Sequence, residues 1–232
     1  MSTYAPYKER VLDASQQLWR DGYFGTKHGS GGNVSVLIDG EDAVAVTPSG
    51  RNYGEMTAAD ICIVDFEQRR IEGALDPSVE TGMHLAVYRE RPDVSAVIHT
   101  HQPYASIFAV LNESIPLLFD EVAVAIGPEI AVCPYGLSGS PELLRNVVGK
   151  LSNRCHCYLL QNHGALCIGP DLERALYFAE VLEKTARIYY RALATGMQIH
   201  ALPDGLPQAL FQFTKSRQDA EIARKEKLRQ SM

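Results

Sequence analysis

The chain has 232 residues, of which 46% are hydrophobic, and it carries a formal net charge of −6 at pH 7. This length and apolar content suit one folded domain with a sizeable core and exclude a chain that is mostly disordered. The acidic balance argues against a nucleic-acid binder, which would carry a basic patch, although backbone amides and hydroxyls can still hold an anion locally.

The first third of the chain predicts one helix followed by short strands. Residues 6–20 have apolar side chains at helical spacing and predict an amphipathic helix. After a glycine-rich stretch, two apolar runs on either side of Asp39-Gly40 predict a β-hairpin, and residues 61–66 predict another strand. A further helix is expected from about Ser78 to Arg91, where a proline would stop it.

The middle of the chain mixes strands and short helices. Residues 94–101 predict a strand that ends in two histidines, and residues 103–111 predict a short helix. Two more strands are expected at 115–118 and 130–133. The run Ser140-Pro141-Glu142 is typical of a helix start, because it places an N-cap residue before a proline at the first helical position.

The last part of the chain predicts a second hairpin and a long helix. Residues 157–168 predict two strands bent at Asn162-His163-Gly164. Asp171 is expected to cap a helix that runs to about Thr195 and stops at the next glycine.

Residues 1–232 are interpreted as a single domain of the α/β class in the broad sense, because strands and helices are mixed without regular alternation. From about residue 214 the chain is a charged C-terminal tail, either a surface helix or a loose segment. The start of the chain lacks the apolar stretch of a secretion signal, and no stretch reaches the ~20 apolar residues of a membrane-spanning helix. We therefore expect no membrane partner.

The cysteines are few and irregularly spaced: Cys62, Cys133, Cys155, Cys157 and Cys167. An odd number without a regular pattern predicts reduced thiols, and so a cytoplasmic protein, rather than a disulfide framework. The run 155–157 fits no common zinc motif and is interpreted as core thiols around a histidine.

His99 and His101 form the sharpest chemical feature. In an extended strand, residues i and i+2 point to the same side, so the two imidazoles could hold a tetrahedral metal such as zinc. His163 is the best candidate for a third ligand, because it lies at a bend between two apolar strands. Three histidines would leave a coordination position open for substrate or water, as in catalytic zinc sites. A structural role in a strand or turn is the alternative for each histidine alone.

Three other stretches could together bind a phosphate. Residues 76–80 open the predicted helix, where amides favour an anion and Ser78 adds a hydroxyl. The glycine-rich residues 29–33 precede a strand, so they match neither a Walker loop nor a dinucleotide fingerprint. Thr47-Pro48-Ser49-Gly50 is a second hydroxyl-bearing turn. Each stretch alone is more typical of a plain loop or of N-capping.

The order of these motifs resembles the class II aldolase/adducin family. The matching stretches are GGNVSV at 31–36, TPSG at 47–50, PSVE at 77–80, VIHTH at 97–101 and QNHGAL at 161–166. The resemblance covers roughly residues 7–195. It implies a three-layer αβα fold around a central, mostly antiparallel sheet, and a homotetramer with active sites between subunits.

The resemblance also implies roles for single residues. His99, His101 and His163 would bind Zn²⁺, or another divalent metal such as Mn²⁺ or Co²⁺. Glu80 would bind the metal in the free enzyme and act as the catalytic acid/base. The substrate phosphate would be held at Gly32, Asn33, Thr47, Ser49, Gly50 and Ser78.

Two positions depart from the family pattern. Val79 follows Ser78 where the family often has a second serine, so one phosphate hydroxyl is missing. Asp120 and Glu121 stand where an aldolase of the family has a tyrosine. We interpret Asp120 as a candidate catalytic acid that reaches across a subunit interface, and capping of a short helix is the alternative.

The implied function is a zinc-dependent aldolase that cleaves a ketose 1-phosphate to dihydroxyacetone phosphate and an aldehyde. The ketose would resemble fuculose 1-phosphate or be a 5-deoxy- or methylthio-pentulose 1-phosphate. The alternatives are a ribulose-5-phosphate 4-epimerase and a related sugar-phosphate dehydratase or decarboxylase. Glutamate at position 80, where the epimerase has aspartate, favours the aldolase. A non-enzymatic adducin-like scaffold needs no metal ligands, so the three histidines argue against it.

Overall fold

The fold is taken from a computed structural model that describes residues 2–29 and 31–230, so Ser30 of the glycine-rich stretch lies outside it. The helices of the described chain are α1 (Ala5–Arg20), α2 (Thr81–Glu90), α3 (Pro103–Leu111), α4 (Asp120–Ala125), α5 (Pro141–Val148), α6 (Leu172–Leu193) and α7 (Leu206–Gln230). The strands are β1 (Asn33–Leu37), β2 (Ala43–Val46), β3 (Cys62–Asp65), β4 (Arg70–Glu72), β5 (Ala96–Thr100), β6 (Val132–Cys133), β7 (Cys157–Leu160) and β8 (Gly164–Gly169).

The strands form one sheet in the order β4-β3-β2-β1-β5-β8-β7-β6. Neighbouring strands run antiparallel except for β6 and β7, which are parallel. Strand β5, one of the two central strands, pairs with β8, and Thr100 of β5 lies opposite Ala165 of β8. This arrangement confirms the prediction of a mostly antiparallel sheet, and it brings the end of β5 beside the turn between β7 and β8.

Helices cover both faces of the sheet, because successive side chains of each strand point to opposite sides. Ile98 of β5 belongs to a core cluster shared with α1, α3, α4 and α6. The preceding residue, Val97, belongs to a second cluster shared with α2 and α5. The two clusters confirm the predicted α/β class and its three-layer αβα architecture.

Local sequence signals set most helix ends. Ser140 accepts a hydrogen bond from the amide of Leu143 at the start of α5, and Asp171 accepts one from the amide of Arg174 at the start of α6. Gly196, with φ of +68°, follows the end of α6. These are the caps and the stop that the sequence predicts.

Two predicted elements differ from the structure. Residues 115–118 do not form a strand: Ile115 makes an isolated bridge to Ile130, and Leu117 O accepts a hydrogen bond from the amide of Leu202 at 2.8 Å. Helix α2 begins at Thr81 and not near Ser78. The reason is long-range pairing: the amide of Ser78 donates to Thr47 O at 3.0 Å, which holds this segment in an extended path.

The charged tail belongs to a helix, α7, and is not a loose segment. This helix begins at Leu206, earlier than the boundary near residue 214 that the sequence predicts. Thr214 of α7 donates a hydrogen bond to Val124 O at 2.6 Å, and Gln218 Nε2 donates to His156 Nε2 at 2.9 Å. The five cysteines are all buried and unpaired, as predicted. None of the described helices is both long and apolar enough to cross a membrane.

Candidate active site

His99 and His101 lie side by side at the end of β5. The extended backbone turns both rings to one side of the strand, as the two-residue spacing predicts. Their Nε2 atoms are 3.0 Å apart. His99 is completely buried.

His163 reaches the same place from the turn between β7 and β8. Asn162 adopts a left-handed backbone (φ +55°), and the amide of His163 donates to Leu160 O at 3.0 Å, which closes the turn. The ring of His163 then lies 4.6 Å from that of His99 and 5.3 Å from that of His101, centre to centre. One ligand atom from each histidine lies within 4.8 Å of the others. The structure thus brings the three predicted histidines together.

Burial fixes the chemical state of His99. Its Nδ1 lies 2.9 Å from Ala165 O, and because a carbonyl oxygen can only accept, this nitrogen carries the proton. Burial lowers the pKa of His99 to about 4, so the ring is neutral at pH 7. Its Nε2 therefore offers a lone pair. Burial also lowers the pKa of His101.

Glu80 completes the cluster. Its Oε2 is 3.3 Å from His99 Nε2 and its Oε1 is 3.4 Å from His163 Nε2. Asn33 Nδ2 donates to Oε2 at 2.8 Å, and Ser138 Oγ donates to Oε1 at 2.9 Å. Burial raises the pKa of this carboxyl. The two histidines and the two hydrogen bonds together lower the pKa by more than burial raises it, so it lies below the ordinary value.

The location of Glu80 corrects one detail of the sequence prediction. Glu80 does not lie in the first turn of a helix but immediately precedes α2, and its side chain makes no capping hydrogen bond. Because the carboxylate is not used for capping, it can turn toward the histidines.

The donor set fits a metal ion. His99 Nε2 has only a lone pair, yet it faces another ring nitrogen at 3.0 Å and a carboxylate oxygen at 3.3 Å. The lone pair of His99 Nε2 and those of the Glu80 carboxylate oxygen repel one another unless a cation lies between them. Two nitrogens bound to one tetrahedral Zn²⁺ would be about 3.3 Å apart, close to the separation observed. His163 Nδ1 is buried without a hydrogen-bond partner.

The segments predicted to bind phosphate lie next to each other. The amide of Ser49 donates to Asp76 O at 2.8 Å, which ties the 47–50 turn to the segment before Glu80. Ser49 and Gly50 are exposed, whereas Thr47 is buried and accepts a hydrogen bond from the amide of Val34.

Three more of the predicted phosphate residues already have structural bonds. Gly32 O accepts a 2.6 Å hydrogen bond from the hydroxyl of Tyr53, and the amide group of Asn33 donates to Glu80. Ser78 Oγ accepts from the amide of Glu80 at 3.3 Å. The residues predicted to bind phosphate and the histidine cluster are therefore joined through Asn33 and Glu80.

Asp120 is separate from the cluster within this chain. It is exposed in the first turn of α4, and no hydrogen bond or ion pair joins it to the described histidines. Its neighbour Glu121 accepts hydrogen bonds from Tyr177 and Lys184 of α6.

Sequence reasoning missed several polar groups around Glu80. Ser138 contacts Glu80 from a distant loop, and no local motif marks it. Ser35 Oγ lies 2.7 Å from both His84 Nδ1 and Tyr88 Oη, which forms a buried network between β1 and α2. His84 follows Glu80 by four residues, the spacing that puts two side chains on one side of a helix. In the helix predicted from Ser78, this spacing could have indicated that His84 lies near Glu80.

Comparisons with known proteins agree with this geometry. Residues 9–190 match the model of the class II aldolase and adducin N-terminal domain. The chain is 35% identical over 195 residues to L-fuculose phosphate aldolase of Escherichia coli, which covers 84% of this chain and 87% of that protein. It is 36% identical over 172 residues to 5-deoxy-D-ribulose 1-phosphate aldolase of Bacillus thuringiensis, covering 74% and 80%.

A solved structure of an L-fuculose 1-phosphate aldolase superposes with a TM-score of 0.84 at 32% identity, covering 93% of this chain and 98% of that one. The sequence match, the shared architecture and the clustered histidines agree. This chain belongs to the class II aldolase and adducin family.

Proposed function

We propose that this protein is a metal-dependent aldolase that cleaves a ketose 1-phosphate into dihydroxyacetone phosphate and an aldehyde. The observation that carries the proposal is the approach of the Glu80 carboxylate to the nitrogens of His99 and His163, at 3.3 and 3.4 Å. Carbon–carbon cleavage next to a carbonyl needs a group that transfers a proton and a metal ion that stabilises the negative charge formed. A carboxylate beside a metal-binding cluster can supply both.

His99, His101 and His163 would hold the ion, with Glu80 as a further ligand before substrate binds. Zinc suits three neutral histidines, and Mn²⁺ or Co²⁺ are the alternatives. A bound divalent ion supplies Lewis acidity that stabilises negative charge on the substrate oxygens.

The chain itself supplies the proton transfer and the binding groups. Glu80 delivers a proton to the carbon that becomes part of dihydroxyacetone phosphate. Asp120, exposed on α4, would serve the aldehyde half from a neighbouring subunit of a homotetramer, because within its own chain it does not reach the cluster. The phosphate would be held at Gly32, Asn33, Thr47, Ser49, Gly50 and Ser78.

The substrate is proposed to be a ketose 1-phosphate with a short apolar end, such as fuculose 1-phosphate or a 5-deoxy- or methylthio-pentulose 1-phosphate. The names of the two similar aldolases support this class. The buried, unpaired cysteines support a cytoplasmic location, and the net charge of −6 supports a protein without a nucleic-acid partner.

The test is a panel of phosphorylated ketoses with detection of dihydroxyacetone phosphate. It includes fuculose 1-phosphate, both pentulose 1-phosphates, ribulose 5-phosphate and the unphosphorylated sugars. We expect cleavage of at least one 1-phosphate and much slower reaction of the free sugars, because phosphate binding energy positions the reacting bond. His99→Ala should lose most bound zinc, by elemental analysis, and the activity with it.

Other results would favour an alternative. Conversion of ribulose 5-phosphate to its epimer, without release of dihydroxyacetone phosphate from any 1-phosphate, would favour the 4-epimerase. Purified protein that takes up no divalent metal would favour a scaffold.

A further inference from the structure

The loop between β6 and α5, residues 134–140, places the hydroxyl group of Ser138 next to Glu80. Ser138 Oγ donates a 2.9 Å hydrogen bond to Glu80 Oε1, although the two residues are 58 positions apart in the sequence. Glu80 is only 3% exposed, so each of its few polar contacts has a strong influence on where its carboxylate lies.

The loop is anchored at both ends. Asn146 of α5 donates to Pro134 O and Tyr135 O, at 3.2 and 2.9 Å, and Ser140 caps α5. Gly139 has φ of +73°, and a Cβ atom there would lie 2.9 Å from Val79 O, so the loop packs directly on the residue before Glu80. The hydroxyl of Ser138 is therefore held at a defined place beside the carboxylate.

The two donors to Glu80 differ chemically. Asn33 turns its NH2 group toward Oε2, and in this orientation the NH2 group can only donate, so Oε2 is an acceptor. A serine hydroxyl donates to an ionised carboxylate and, after rotating its O–H bond, accepts from a protonated one. Oε1 thus keeps its hydrogen bond in both protonation states by rotation of a single O–H bond, whereas Oε2 would keep its own only if the whole amide of Asn33 turned over.

We propose that Ser138 is a positioning residue for Glu80 and that Glu80 Oε1 is the oxygen that carries the transferred proton. The inference rests on the proposed aldolase function. In the cleavage direction the O–H bond at Oε1 breaks and a C–H bond forms on the dihydroxyacetone phosphate half, and Ser138 returns from accepting to donating as the carboxylate forms.

The test compares Ser138→Ala with Ser138→Thr, which keeps the hydroxyl, and with Ser152→Ala, at an exposed position in the turn after α5, as a control outside the loop. We expect Ser138→Ala to lower kcat by about tenfold or more, with KM within about threefold and zinc content unchanged. Exchange of the dihydroxyacetone phosphate proton with solvent should slow in parallel. Ser138→Thr should restore most of both rates, whereas Ser152→Ala should leave both rates unchanged.

Crystal structures of the zinc-loaded variants give a readout that does not depend on turnover. Glu80 Oε1 should leave its position in Ser138→Ala and keep it in Ser138→Thr. An unmoved carboxylate in Ser138→Ala, wild-type exchange in that variant, or no recovery with threonine would overturn the inference. A wild-type protein that cleaves no ketose 1-phosphate would instead contradict the proposed function, and the crystallographic comparison would still decide the role of Ser138.

Discussion

At the scale of single residues, Glu80 is the group on which the proposed chemistry depends. A buried carboxylate that faces two imidazoles and accepts two hydrogen bonds is held in one orientation. Replacing the Glu80 carboxylate with the amide of glutamine keeps the shape of the side chain but removes its ability to accept and donate the transferred proton.

Glu80→Gln should therefore keep the fold and most of the metal while kcat falls by roughly 10²-fold or more, as the loss of a general acid/base does. Steady-state kinetics and elemental analysis measure the two effects. Glu183→Gln is the control, because Glu183 is a partly buried carboxylate that accepts hydrogen bonds from the amides of Tyr104 and Ala105 at the start of α3. That variant should lose stability and keep turnover. Near-normal turnover in Glu80→Gln would reject the acid/base role.

The sequence predicts some of these residues better than others. His99 and His101 could be found because the two-residue period of a strand is a local property. Ser138 could not, because its contact with Glu80 depends on how a distant loop packs against the segment before α2. Asn33 was expected at the phosphate site, but its contact with Glu80 could not be predicted, because it depends on the pairing of β1 with β5.

At the scale of elements, the site depends on the close approach of β8 to β5. A Cβ atom on Gly164 would lie 2.2 Å from Thr100 O and 2.8 Å from His101 Cδ2. The nearest of these atoms is backbone, so the strands themselves would have to separate.

Gly164→Ala should lower the free energy of unfolding by about 1–3 kcal/mol and reduce zinc content, since His163 and His101 would move apart. Gly149→Ala is the matched control: its φ is −60°, and the nearest atom to a Cβ placed there would be Arg145 O, at 3.4 Å. Denaturant unfolding and elemental analysis measure both quantities. If the two variants behaved alike, the tight crossing at Gly164 would have no role in building the site.

Hairpins and helix caps could be predicted because their signals lie within a few residues. The start of α2 could not, since it depends on pairing with the 47–50 turn. Residues 115–118 have the composition of a strand, but Ile115 makes only an isolated bridge to Ile130, which lies outside the sheet.

At the scale of the whole molecule, α7 covers a buried histidine. His156 donates from Nδ1 to Ala125 O at 2.7 Å, stacks on Phe178 and is covered by Gln218. Burial lowers its pKa from 6.5 to about 4; the hydrogen bond to Ala125 O and the charge of Asp93 oppose this shift, whereas Arg91 and Arg174 add to it. In the unfolded chain His156 therefore binds a proton as the pH falls through about 6.5, whereas in the folded chain it binds this proton only near pH 4.

This difference makes stability depend on pH in one direction. The contribution of His156 is complete above pH 6.5 and is lost as the pH falls toward about 4, by about 1.4 kcal/mol per pH unit. The measurement is the unfolding free energy of wild type and of His156→Asn, whose amide group can keep the bond to Ala125 O. Other acid-sensitive groups are shared, so the difference between the two curves should change across this window. Parallel curves would contradict the assignment.

The docking of α7 was not predictable from the tail itself. Nine of its 25 residues are charged, and the contacts that hold it join residues such as Thr214 and Val124, which are 90 positions apart. The three-layer arrangement was expected from the family resemblance, and composition and periodicity indicated only a mixed α/β protein.

The origin of the three histidines in separate parts of the chain has a consequence for folding. Two come from the end of β5 and one from the turn before β8, so an ion bound by all three would close a loop of about sixty residues, as a disulfide does. The unfolded chain would not hold these ligands together. Each tenfold rise of free ion above its dissociation constant would then add about 1.4 kcal/mol to the folded state. The supply of metal in the surroundings would thus govern the lifetime of the folded chain as well as its turnover.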